Sequence, residues 1–275
     1  MSKDRKESRY LGLGPNLELH YVEKGEGDPI IFIPGLTYSS EIFAAQIERF
    51  SRTNRAIAID PRGQGWSSKT VDGNDYLTHG RDLARLIETL DLKNVVLVGW
   101  STGNLEVWSY IRQFGKSRVK AAVTIDMSPL PLHPDPQVWT EGTIEELSEV
   151  ASTLLITPEG CHDFFRDYTT GIMLQHTPDD DELEALMDIH SKTPYWVARA
   201  LFCDAMFSNY VDVAKEISET LPSLMYIAEH WSGVAKPWFE GNFPGTETYV
   251  MGGHLMFYEY PERWNGVLES FLAKL

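Results

Sequence analysis

Between residues 29 and 125 short apolar runs alternate with amphipathic stretches, and this rhythm constrains the fold of the 275-residue chain more than any other feature. Pro29-Ile-Ile-Phe-Ile-Pro34, Arg55-Ala-Ile-Ala-Ile-Asp60, Asn94-Val-Val-Leu-Val98 and Val119-Lys-Ala-Ala-Val-Thr-Ile125 are nearly continuous apolar runs. That is the pattern of strands buried on both faces. Residues 17–22 alternate instead, as a half-buried strand does. Helices are predicted over 40–50, with Phe43, Ile47 and Phe50 on one face, over 76–90, with Leu83, Leu86, Ile87 and Leu90 inward, and over 102–114. Strands and helices in this alternation specify an α/β fold, a mostly parallel central sheet covered by helices on both faces.

The rhythm breaks between residues 128 and 221, which hold amphipathic helices and no convincing strand. This stretch is rich in large apolar groups, among them Trp139, Phe164, Phe165, Tyr168, Met173, Trp196, Phe202 and Met206. Connections in α/β units usually run to about 2–6 residues, so 128–221 reads as an inserted helical cap, with 1–127 and 222–275 as the core. Strand and helix resume as strand 224–228, helix 234–239, strand 247–251 and terminal helix 261–275. The acidic run Asp179-Asp-Asp-Glu182 suits a helix N-terminus, where negative charge is favourable.

Hydrophobic residues make up 43% of the chain and charged ones 23%, which rules out wholesale disorder. The formal charge of −16 argues against nucleic acid as a partner, because no Lys/Arg cluster offsets it. Cys161 and Cys203 are too few for a disulfide framework and have no metal-ligand spacing around them. The N-terminal MSKDRKESRY lacks the apolar core of a secretory signal, and no apolar run reaches the ~18 residues of a membrane span. A cytoplasmic protein that engages no membrane is expected. Gly63-Gln-Gly65 is not a phosphate loop and no His/Asp/Glu set has ligand spacing, so neither metal nor cofactor is expected.

The chemistry centres on Gly99-Trp-Ser101-Thr-Gly103, which follows one buried strand directly and opens a helix directly. In that context a G-x-S-x-G sequence is a nucleophile elbow. The glycines let strand and helix pass, the serine hydroxyl projects at the carboxyl edge of the sheet, and the Thr102 N–H at the helix start is free to donate. A serine needs a base. Of eight histidines, His254 is distinguished by following Met251-Gly-Gly253 at the end of the last strand, which brings it to the same edge.

With these pieces the chain resembles the α/β-hydrolase superfamily from about residue 17 to 275. The matching motifs are Ile33-Pro-Gly35, Asp60-Pro-Arg-Gly-Gln-Gly-Trp-Ser67, the Ser101 elbow, and Gly252-Gly-His254 with its continuation to Pro261. The ending is similar to those of esterase, lactonase and haloperoxidase-like members. The resemblance implies that the Leu36 N–H joins that of Thr102 in an oxyanion hole, where each donor is typically worth about 3–4 kcal/mol of barrier. Asp60, Arg62, Gly63 and Gly65 read as a structural turn. Family members place the acid that orients the histidine after either the seventh or the sixth strand. The candidates here are Glu229 in Ala228-Glu229-His230-Trp231 and Asp126 in Ile125-Asp126-Met127-Ser128. Asp126 is the simpler reading, because a carboxylate ending an apolar strand needs a partner.

The expected activity is a serine hydrolase cleaving a small apolar ester or lactone through an acyl-enzyme. Trp100, Trp139, Phe165 and Trp196 are candidate substrate contacts, although Trp100 also reads as a sheet-packing residue. Two other classes stay open: a hydrolase-like ligand receptor with slow turnover, and a cofactor-free oxygenase or perhydrolase. Against the latter, Thr102 stands where haloperoxidase-like members usually carry Met. No oligomeric state is specified.

Overall fold

The computed structural model describes residues 8–275, so the first seven residues of the charged N-terminal stretch lie outside the described residues. Eight strands form one sheet in the order β1-β2-β4-β3-β5-β6-β7-β8. β1 (Ser8–Gly14) and β2 (Leu17–Lys24) pair antiparallel, and β2 runs antiparallel to β4 (Arg55–Ile59). All pairings among β3 (Pro29–Ile33), β4, β5 (Val95–Trp100), β6 (Val119–Ile125), β7 (Ser223–Ile227) and β8 (Glu247–Val250) are parallel. β1 carries two glycines and buries only Leu13, so periodicity gave no sign of it.

Side chains alternate across each strand, and the two faces build separate cores. Ile31 and Ile33 of β3 join Leu83, Leu86 and Ile87 of α2 (Tyr76–Thr89) and Leu105, Trp108 and Ile111 of α3 (Gly103–Phe114). Ile30 and Phe32 join Ile47 and Phe50 of α1 (Ala44–Phe50) on the other face. The helix expected over 40–50 begins as a 3-10 turn, Ser40–Phe43, before relaxing into α1.

Between β6 and β7 every regular element is helical: α4 (Ile144–Glu149), α5 (Pro158–Tyr168), α6 (Asp180–Ser191), α7 (Tyr195–Met206) and α8 (Val211–Thr220). Three of these helices have side-chain N-caps, of which the acidic run alone was expected from the sequence. Thr143 and Glu146 form a capping box, Thr157 caps α5, and the acidic run starts α6 with Asp179 accepting from the Glu182 N–H. Single π-helical turns, Val150–Leu154 and Thr169–Met173, extend α4 and α5. α8 packs on α3, with Val213 and Ile217 in the same core as α2. After β7 comes α9 (Ser232–Asn242), longer at both ends than the expected 234–239, and after β8 come α10 (Met256–Glu259) and α11 (Pro261–Leu272). Trp264 and Leu268 of α11 complete the core on the α1 face. Among the described residues no helix is long and apolar enough to cross a membrane.

Candidate active site

Ser101 sits between β5 and α3 with φ of +53°, left-handed backbone that a non-glycine residue adopts at a cost. Its N–H donates to Ile125 O (2.8 Å) and its carbonyl accepts from the Asn104 N–H (3.0 Å), which hold the turn at both ends. A Cβ on Gly103 would lie 2.4 Å from Ile33 O, and one on Gly99 would lie 2.6 Å from Asn104 Oδ1. Both positions of the elbow therefore require glycine. Thr37 (φ 69°) beyond β3 and Asp126 (φ 55°) after β6 are also left-handed, so three non-glycine residues with this conformation follow three adjacent strands at the carboxyl edge.

His254, in the loop between β8 and α10, lies 2.7 Å from Asp126 through Nδ1···Oδ2. Asp126 is fully buried, and its Oδ1 accepts from the Ala228 N–H (2.7 Å) and from Trp231 Nε1 (2.8 Å). Three donors thus offset the desolvation that a lone buried carboxylate suffers. His254 Nε2 is buried and has no protein partner. Trp100 Nε1 donates to the His254 carbonyl (2.8 Å), and its ring packs against His254, Tyr38 and Phe257. Glu229 lies elsewhere: it is exposed on a 3-10 turn and accepts from Gln175 Nε2 (3.0 Å). The structure brings Asp126, not Glu229, to His254.

Leu36 and Thr102 line the same cavity as Ser101, and among the described residues neither backbone N–H has a backbone acceptor. The loop carrying Leu36 is pinned from the turn after β4: Gln64 Oε1 accepts from the Thr37 N–H (2.6 Å), while Gln64 Nε2 donates to Gly35 O and Tyr38 O (3.4 Å each). Asp60 in that turn accepts from Ser40 N–H (2.6 Å), Trp66 N–H (2.7 Å) and His20 Nδ1 (2.9 Å), in keeping with its reading as structural. Arg62 makes a two-pronged ion pair with Asp82 (2.7 and 2.9 Å).

A cavity of about 270 Å³ opens on Ser101. Met127, Leu147, Val150, Phe164, Phe165, Tyr168, Met173, Phe202 and Met206 make most of its wall, nearly all from the stretch between β6 and β7. Thr193 Oγ1 donates to Thr37 O (3.1 Å) and the Leu255 N–H donates to Met173 O (2.9 Å), tying that stretch to the Leu36 loop and to the His254 loop. Phe165 and Trp100 line the cavity. Trp139 and Trp196 do not, which corrects the sequence reading. Trp139 is buried against Trp231 and Phe239. Trp196 on α7 stays 46% exposed against Tyr195, because its helix turns the Val197 and Leu201 side inward.

Sequence reasoning missed Glu141, whose carboxyl lines this wall. Burial pushes it up to about 8, the Ser128 N–H pulling the other way and Asp126 adding repulsion. Tyr168, whose ring lies edge-on to His254 (6.1 Å), is also pushed up by burial. A single glutamate in a loop carries no periodic signal, so nothing in the sequence singled out Glu141.

Residues 28–157 match the family model described as the α/β hydrolase fold. Non-heme chloroperoxidase CPO-A1 of Kitasatospora aureofaciens is 29% identical over 163 residues, covering 59% of this chain and 58% of that protein. The chain spans about half the length of the curated relatives it matches. The crystal structure of a bromoperoxidase from Bacillus anthracis superposes with a TM-score of 0.87 at 21% identity, over 97% of this chain and 99% of that one. An esterase from Exiguobacterium antarcticum gives 0.83 at 20% identity, over 94% and 96%. Its sheet order, its elbow and these similarities show that the chain has the α/β-hydrolase fold.

Proposed function

We propose that the chain is a serine hydrolase that cleaves a small apolar carboxylic ester or lactone through an acyl-enzyme. The observation that carries this reading is the 2.7 Å contact between His254 Nδ1 and Asp126 Oδ2, which leaves Nε2 as the unpartnered nitrogen at the edge where the elbow serine lies. In this scheme Ser101 Oγ attacks the carbonyl carbon while His254 Nε2 takes its proton. The tetrahedral oxyanion accepts from the N–H groups of Leu36 and Thr102. The intermediate collapses, the C–O bond to the leaving group breaks, and His254 returns the proton to the departing alkoxide. Water, deprotonated by the same histidine, then attacks the acyl carbon and releases the acid. Asp126 holds the imidazole in the tautomer with its proton on Nδ1 and stabilises the imidazolium. In this scheme the serine–histidine hydrogen bond forms once substrate fills the site.

The apolar wall and the modest cavity favour a short or compact acyl group. Residues 128–221 act as the cap over it, with α8 anchoring against the core helices. Similarity to a protein named as a chloroperoxidase favours a second reading of the same acyl-enzyme, in which hydrogen peroxide replaces water and a peracid leaves. Labelling with a fluorophosphonate, followed by turnover on simple esters with and without peroxide, tests both. Label on Ser101 with a rate of about 1 s⁻¹ or more supports the hydrolase. Peracid formed faster than acid supports the second reading. Labelling with turnover far below that rate favours a receptor, and no labelling overturns the assignment of the nucleophile.

A further inference from the structure

We propose that Glu141 is a specificity-determining residue: its carboxyl, set in a mostly apolar pocket, donates a hydrogen bond to an acceptor oxygen (ether, ketone or amide carbonyl) carried by the substrate's acyl chain. This rests on the serine-hydrolase reading above. The carboxyl is held in place from both sides. Oε1 accepts from the Ser128 N–H (2.8 Å), and the Glu141 N–H donates to Pro131 O (2.8 Å). Ser128 is itself fastened, its Oγ donating to Trp139 O (2.6 Å). Among the described residues no group bonds to the other oxygen, Oε2, and the residue lines the cavity.

Glu146 also lines the wall, but its Oε2 accepts from the Thr143 N–H (2.8 Å) and Oγ1 (3.0 Å), which hold the carboxyl below its usual range and leave it an anion with no O–H to give. Glu141 is thus the acidic group of the wall that holds a proton to donate. Burial and the neighbouring Asp126 keep its proton on at neutral pH, so the spare oxygen carries an O–H that can donate. An unpaired O–H facing a plain alkyl chain is unfavourable, and sites built to hydrogen-bond a substrate group reject analogues that lack it. A cationic chain would need the carboxylate ionised among apolar neighbours beside Asp126, which the same burial opposes.

The test uses the full chain and three p-nitrophenyl esters of equal length: pentanoate, 3-methoxypropanoate and 3-(methylamino)propanoate, each corrected for its uncatalysed hydrolysis. The expected result is a kcat/KM for the methoxy ester at least about tenfold above that for pentanoate. Glu141→Leu loses that preference, and Glu141→Gln, whose amide still donates, keeps part of it. A wild-type enzyme that hydrolyses all three without preference overturns the inference, as does a preference for the ammonium ester or one that survives in Glu141→Leu. Calorimetric binding of methyl 3-methoxypropanoate and methyl pentanoate to Ser101→Ala makes the same comparison without turnover. Absence of both labelling and hydrolysis counts against the serine-hydrolase reading. Equal binding of the two methyl esters counts against Glu141 alone.

Discussion

His254 and Asp126 stand 128 residues apart in the chain and 2.7 Å apart in space, joined because β6 and the loop after β8 end at the same edge of the sheet. Asp126→Asn keeps the left-handed backbone, which Asn tolerates, and lets Oδ1 continue to accept from Ala228 and Trp231. Its amide then faces His254 Nδ1 and favours the wrong tautomer. The expected result is a kcat lower by about 10²–10⁴ with little change in KM, against less than about threefold for Glu229→Gln. Steady-state kinetics on one ester decide between them, and the reverse ranking transfers the role to Glu229.

Ser101→Ala is expected to abolish phosphonate labelling and to lower ester turnover by at least about 10³-fold. Its melting temperature should stay close to that of the wild type, since Oγ makes no hydrogen bond in the core. Retained labelling on the variant means that another residue is the nucleophile.

Substitutions in the pocket should separate wall from scaffold. Phe165→Leu widens the cavity and is expected to shift the optimum toward longer acyl chains severalfold. Trp139→Phe and Trp196→Ala leave the chain-length profile unchanged, although the former lowers the melting temperature because Trp139 is buried. A profile that moves with Trp196 would place that residue over the substrate after all.

Trp100→Phe removes the 2.8 Å bond to the His254 carbonyl while keeping the ring. The carbonyl is left in a buried setting without that donor, a loss of about 1–3 kcal/mol. Expected are a lower melting temperature and a kcat reduced more than KM is raised, because the histidine loop is less well positioned. Unchanged kcat would show that the remaining packing suffices to hold the loop.

Stability should also report on Glu141. An unfolded glutamate ionises near ~4.3, whereas burial keeps the folded carboxyl protonated up to about 8. Between those pH values the native state binds the extra proton, so this group makes stability fall as pH rises through that window and level off above it. Asp126, Glu146 and Tyr168 share its surroundings. Melting curves from pH 5 to 9 should show a shallower decline for Glu141→Gln than for wild type. Parallel curves would place the titration elsewhere.

By itself the sequence determined the α/β layering, because strands buried on both faces have to be continuously apolar and the helices between them amphipathic. It also marked the elbow, because only glycine at 99 and 103 lets α3 pass β5 and β3 at such close approach. Edge strand β1 escaped notice, since with one buried side chain it carries little alternation. The sequence favoured Asp126 over Glu229, because a carboxylate ending an apolar strand needs a partner, but the meeting with His254 itself depends on two strand ends converging, which only tertiary structure shows. Tertiary structure likewise decided which aromatic residues face the cavity. Trp139, Phe165 and Trp196 look equivalent as large apolar residues of one inserted stretch, but a loop packs Trp139 against Trp231 and Phe239, while helix rotation sends Phe165 into the wall and Trp196 to the surface.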